Sequence, residues 1–99
     1  MDPPIACTLT NPEMAERRST ILDTFRGAAL EVTSIPGGVA YRFPPTTSLL
    51  AQLFQLVDLE RQCCPFLTFR LTIEAGNQPI SLEITGPPEA QTIIADFFA

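Results

Sequence analysis

Residues 59–74 read Leu59-Glu60-Arg61-Gln62-Cys63-Cys64-Pro65-Phe66-Leu67-Thr68-Phe69-Arg70-Leu71-Thr72-Ile73-Glu74. The hydrophobic period changes inside this stretch. Before Pro65 the apolar residues recur at helical spacing. After it they alternate, with Leu67, Phe69, Leu71 and Ile73 on one face and Thr68, Arg70, Thr72 and Glu74 on the other. Pro65 has no N–H with which to continue a helix, and its ring drives Cys64 toward extended geometry. A helix therefore ends here, and a strand with one wet face begins.

Upstream, Thr46, Thr47 or Ser48 caps that helix, which runs to about Cys63. At about 100° per residue, Leu49, Leu50, Leu53, Phe54, Leu56 and Val57 form a wide apolar arc. Ser48, Gln52, Gln55 and Gln62 form the polar side. The same wheel puts Cys64 near the middle of the arc and Cys63 at its edge. Glu60 and Arg61 fall on the apolar side, and Leu59 falls on the polar side, which hints at a partner surface.

Downstream, Ala75-Gly76-Asn77-Gln78 makes a loop. Ile80, Leu82 and Ile84 then alternate with Ser81, Glu83 and Thr85. Gly86-Pro87-Pro88 breaks this strand and starts a final helix, in which Ala90, Ile93, Ile94 and Phe97 align. The free amides of Ile84-Thr85-Gly86-Pro87 are an anion-binding candidate, although strand exit and helix start also explain them. Towards the N-terminus, Ala29–Ile35 and Val39–Phe43 flank a hairpin turn at Pro36-Gly37-Gly38. A first helix is expected from Thr10 or Asn11 to Gly27. Pro12 suits its first position, Thr10 and Glu13 have capping-box spacing, and Met14, Ile21, Leu22 and Phe25 share a face. Arg17-Arg18 reads as a solvated helix face. Residues 1–10 form an extended lead-in carrying Cys7.

The predicted order is α-ββα-ββα, one α+β domain over residues 1–99. Each strand pair is apolar on one face only, so a two-layer sandwich with helices on one face of a four-stranded sheet is expected. Right-handed crossovers make this a permutation of the ferredoxin-like winding, with strand order 1-2-4-3. The outer sheet face, with Thr68, Arg70, Thr72, Ser81, Glu83 and Thr85, is then either bare or a homodimer surface.

Composition narrows the function classes. The net charge is −5, with no lysine and no histidine. Such a field argues against nucleic acid or anionic membrane as a partner. Without histidine there is no Ser-His-Asp or Cys-His catalysis, and without lysine no Schiff base and no phosphate-binding P-loop. No apolar run approaches a membrane span, and Met1-Asp2-Pro3-Pro4 lacks the charged and apolar regions of a signal peptide, so a cytosolic location is expected. Three cysteines in a cytosolic chain read as thiols rather than a disulfide framework.

Those cysteines carry the chemistry the sequence offers. A disulfide between neighbours closes a strained ring, whereas two adjacent thiolates can hold a soft ion. Adding Cys7 to Cys63 and Cys64 makes three sulfurs, which suits a trigonal thiophilic ion such as arsenite or mercury(II). Glu60, Arg61 and Arg70 are candidates to orient the sulfurs or to hold a polar ligand. A helix C-terminus and Glu60 disfavour thiolate, while Arg61 and Arg70 favour it, so a strongly activated nucleophile is not expected. Two other readings remain open. The cysteines pack as small hydrophobes in an interaction module or homodimer, or they act as a redox pair.

Cys7-Thr8-Leu9-Thr10, then Glu60-Arg61-Gln62-Cys63-Cys64-Pro65-Phe66-Leu67, then Ile84-Thr85-Gly86-Pro87 give the chain a further character. In these segments it resembles a family of small bacterial proteins of no established function, similar to sequences found near mercury- or other metal-resistance genes. The resemblance implies that Cys7, Cys63 and Cys64 belong together and supplies no reaction. It is not to the heavy-metal-associated domain, because no Cys-x-x-Cys occurs and the order of elements differs.

Overall fold

The computed structural model of the protein describes residues 12–98. The lead-in with Cys7 and the Thr10–Glu13 cap lie outside the described residues, as do the side chains of Met14, Arg17, Arg18, Ile21 and Phe97. The elements are α1 (Pro12–Ala28), β1 (Glu31–Ile35), β2 (Gly38–Phe43), α2 (Thr47–Cys63), β3 (Thr68–Thr72), β4 (Ile80–Thr85), a 3₁₀ turn (Pro88–Ala90) and α3 (Gln91–Phe98). The four strands form one antiparallel sheet in the order β1-β2-β4-β3, the order expected for the permuted winding.

Local chemistry sets the boundaries. Pro12 opens α1, where its missing N–H is no loss. Gly27 does not stop that helix, which runs one residue further. The β1–β2 hairpin closes on Pro36-Gly37, with Ile35 paired to Gly38. Gly37 has φ +81°, and proline followed by a glycine with positive φ is the sequence of a type II turn. Gly38 is needed for a different reason. It pairs with Thr85 across to β4, and a Cβ there would lie 1.8 Å from the Ile84 carbonyl oxygen.

Alternation sorts the two sheet faces. Val39, Tyr41 and Phe43 of β2 and Ile80, Leu82 and Ile84 of β4 are buried beneath the helices. Leu22 and Phe25 of α1 join them, and the Phe25 ring packs on Tyr41 at 4.5 Å and on Phe43 at 4.8 Å between centroids. Aromatic pairs at this spacing add to the burial of their area. The outer face is polar. Arg42 stands opposite Glu31 and reaches it at 3.8 Å, and Arg70 stands opposite Glu83.

The edges are covered less than the sequence suggests. Leu30 and Val32 are exposed although Val32 shares the inner face with Tyr41. The helical layer is centred on β2 and β4 and does not reach β1, in which no residue is buried. Ile73, expected in the core, is exposed because β3 ends at Thr72. Among the described residues no helix is long and apolar enough to cross a membrane.

Candidate functional site

The site is built by the end of α2. Thr46 caps the helix, its hydroxyl accepting from the Leu49 amide at 3.3 Å. From there Leu49, Leu53, Leu56, Glu60 and Cys63 recur at spacings of three and four and form one buried stripe, with Leu59 beside it. The stripe is rotated from the predicted arc. Leu59, expected on the polar side, is 6% exposed, and Phe54, expected inside, is 56% exposed. The hint of a partner surface at Leu59 is therefore overturned: that side of α2 is the one pressed against the rest of the fold.

Cys64 ends the helix. Its backbone leaves the helical region, with φ −123° and ψ 74°, while its N–H still donates to the Glu60 carbonyl at 2.7 Å. A following proline disfavours helical geometry at this position. The Leu67 amide then donates to the Cys64 carbonyl at 3.1 Å and closes the turn that feeds β3. Leu67 packs close to Gly86, where a Cβ would meet its Cδ2 at 3.0 Å. Thr68 pairs with Thr85 in the next register position. The Glu60–Leu67 and Ile84–Pro87 segments are therefore neighbours in space.

Cys63 and Cys64 are 0% and 1% exposed and belong to the apolar core with Phe66, Leu67, Ile84 and Ile94. The Cys64 thiol donates towards Cys63 Sγ at 3.8 Å, so the two sulfurs touch without being bonded to each other. Cys63 is disulfide-bonded, which corrects the expectation of three thiols, and Cys64 keeps its thiol. Cys7 lies outside the described residues. Among those residues, no group of three or more cysteine, aspartate and glutamate side chains is placed to hold a metal ion.

The charged candidates separate. Glu60 is 0% exposed, one helical turn before both cysteines and on the same face. It takes part in a polar interaction, as a buried carboxyl must. Arg61 does not pair with it. Its guanidinium turns to solvent and binds Asp58 at 2.8 and 2.9 Å, a pair formed within one helical turn. Arg70 is exposed on the outer sheet face, opposite Glu83 and away from the thiols. Neither arginine supports the sulfurs.

The anion-binding candidate at residues 84–87 is also filled. The Gly86 amide donates to the Gly37 carbonyl at 3.1 Å, and the Ala90 amide to the Pro87 carbonyl at 2.9 Å. Sequence reasoning missed the side chain that finishes this corner: Gln91 Nε2 donates to the carbonyls of Gly37, Gly86 and Pro87.

A second concavity lies between α1 and α2. It encloses about 200 Å³ and is lined by Thr20, Thr24, Phe25, Leu49, Gln52, Leu53 and Gln55. Among the described residues, its lining has no charged side chain and no cysteine. The chain matches no family model, no curated protein and no solved structure.

Proposed function

We propose that the chain binds a thiophilic metal or metalloid ion through Cys63 and Cys64, with Cys7 as the third sulfur. The observation that carries this reading is the 3.8 Å separation of two buried sulfurs. Metal–thiolate bonds of about 2.3 Å opened to a tetrahedral angle hold their sulfurs about 3.8 Å apart. Soft ions select such ligands over the oxygen donors that acidic chains usually present.

Cys63 is disulfide-bonded, so its sulfur is redox-active rather than inert packing. The chain has three cysteines, and Cys64 keeps its thiol. The resemblance to small bacterial proteins near metal-resistance genes groups the same three residues. Ion binding requires the reduced state, because a sulfur must be deprotonated and unbonded to act as a ligand. Glu60 is the charged group that can act on the sulfurs from the helix face they share.

Native mass spectrometry of the reduced chain tests this reading. The chain is offered zinc, copper(I), mercury(II) or arsenite in the presence of excess small thiol. One ion per chain should survive the competition and be lost from the Cys63→Ser/Cys64→Ser variant. If no ion survives, the thiols are packing residues, and a dimer mass in the same spectra would turn attention to the outer sheet face.

A further inference from the structure

We propose that copies of this chain join edge to edge, β1 of one copy pairing with β3 of the next. The sheet then continues from molecule to molecule with the helices on one side. The order β1-β2-β4-β3 leaves these two strands as its edges. Each neighbouring pair is antiparallel, so β1 and β3 run in opposite directions. A second copy set beside the first in the same orientation therefore brings its β1 antiparallel to β3. The joint uses neither cysteine and stands apart from the ion reading.

Main-chain geometry decides which groups the edges offer. Along an antiparallel strand, successive residues bond alternately to one side and to the other. The Arg42 carbonyl accepts from the Leu30 amide, so the main chain of Arg42 faces β1, and that of Glu31, opposite it, faces β2. Val32 and Ser34 then turn their N–H and C=O groups outward. At the other edge, the Gly86 amide donates to the Gly37 carbonyl and brackets the Gly38–Thr85 pair, so the main chain of Thr85 faces β3. Thr68, Arg70 and Thr72 face β4 in turn, which leaves Phe69 and Leu71 facing outward.

One register, Val32 opposite Phe69, satisfies backbone, apolar and charge requirements together. It joins two residues whose backbone groups both point outward. Both side chains lie on the helix side of the sheet, since Val32 stands opposite Tyr41 and Phe69 opposite Ile84. That side is open at both edges: Val32 is 50% exposed, and Phe69 is only partly buried. The same register sets Glu31 against Arg70 of the next copy on the outer face. Charges then alternate along the row, from Arg42 to Glu31 to Arg70 and Glu83 of the neighbour. Arg70 forms no ion pair among the described residues. The Arg42–Glu31 contact, at 3.8 Å, leaves the Glu31 side chain 57% exposed.

Charge on an edge strand ordinarily keeps other strands away. Here the two edges carry opposite charges, so each admits the other and opposes its own kind. Pairing β3 with β3 about Arg70, for instance, sets two guanidinium groups face to face. A contact between unlike edges is heterologous: every addition leaves one β1 and one β3 free, and growth passes two copies. The joint is small and belongs with weak associations.

Sedimentation velocity of the reduced full chain, from about 10 μM to about 1 mM, tests this in the range where weak interfaces form. Species larger than a dimer should grow with concentration. A monomer throughout, or assembly that stops at two copies, overturns the proposal. Glu31→Arg and Arg70→Glu should each weaken association about tenfold. An equimolar mixture of the two should restore it, because each variant then meets an opposite charge. Association untouched by both changes overturns the register. Val32→Pro removes an outward donor and no bond to β2, and edge strands tolerate proline. It should also block growth, and assembly that persists in this variant sinks the proposal by an independent route.

Discussion

Gln91, the first residue of α3, donates from Nε2 to the Gly37 carbonyl at 2.9 Å across 54 residues of chain. The same amide reaches the carbonyls of Gly86 at 3.2 Å and Pro87 at 3.3 Å. One side chain thereby ties the β1–β2 turn to the exit of β4. Gln91→Ala should lower the urea midpoint by the equivalent of about 1 kcal/mol with an unchanged slope. Gln91→Glu should cost more, because a carboxylate facing three carbonyls cannot donate. Equal stability of all three proteins would show that water replaces the amide.

Tyr41 presents the opposite case. Its hydroxyl is buried without a hydrogen-bond partner among the described residues. Burial pushes its pKa up to about 12, with Arg26 pulling the other way. An unfolded tyrosine ionises near about pH 10. Between about pH 10 and pH 12 the folded chain keeps the proton that the unfolded chain has lost, so stability falls as pH rises. Tyr41→Phe should be as stable as wild type or better by up to about 1 kcal/mol at pH 7. Wild type should lose about 2–3 kcal/mol more than the variant by pH 12. Parallel pH profiles in urea unfolding would mean that the hydroxyl is solvated.

Leu59 and Phe54 exchange the roles that a helical wheel assigns them. Leu59→Ala should destabilise by about 2–4 kcal/mol, the range for a buried leucine. Phe54→Ala should stay within about 0.5 kcal/mol. Thermal unfolding of the two variants decides between this rotation of α2 and one that buries Phe54.

Cys64 keeps its thiol in an apolar setting and is 1% exposed. Iodoacetamide should label it slowly in the native chain and rapidly in urea. Oxidised chain, with the Cys63 disulfide intact, should retain no ion, and reduction should restore binding. An oxidised chain that binds as well as the reduced one would remove Cys63 from the ligand set.

The change of hydrophobic period at Pro65 was enough to place α2 and β3, and turn residues placed the rest. The strand order followed from handedness, because a sheet with one apolar face, two hairpins and a single helical crossover has few windings. The rotation of α2 was not legible. An arc containing Leu50, Phe54 and Val57 is as apolar as the one actually buried, and only the position of α1 and the sheet selects between them. Arg61 was misread for a local reason: Asp58, three residues earlier, captures it. The disulfide at Cys63 was not legible either, since adjacent cysteines argue against bonding to each other but say nothing of a distant partner.

Gly38 shapes how this protein would look under selection. Any side chain there must displace the backbone of Ile84 and Thr85, since its Cβ would lie within 3 Å of three of their main-chain atoms. A survey of random variants would flag position 38 as intolerant as any ligand residue, although it lies in the sheet and has no chemistry. Abundance tells the two apart. Gly38→Ala should empty the cell of folded protein, whereas conservative changes at the cysteines should leave the protein present and remove only the proposed ion binding. Depletion without a count of folded molecules would confuse a backbone requirement with a ligand.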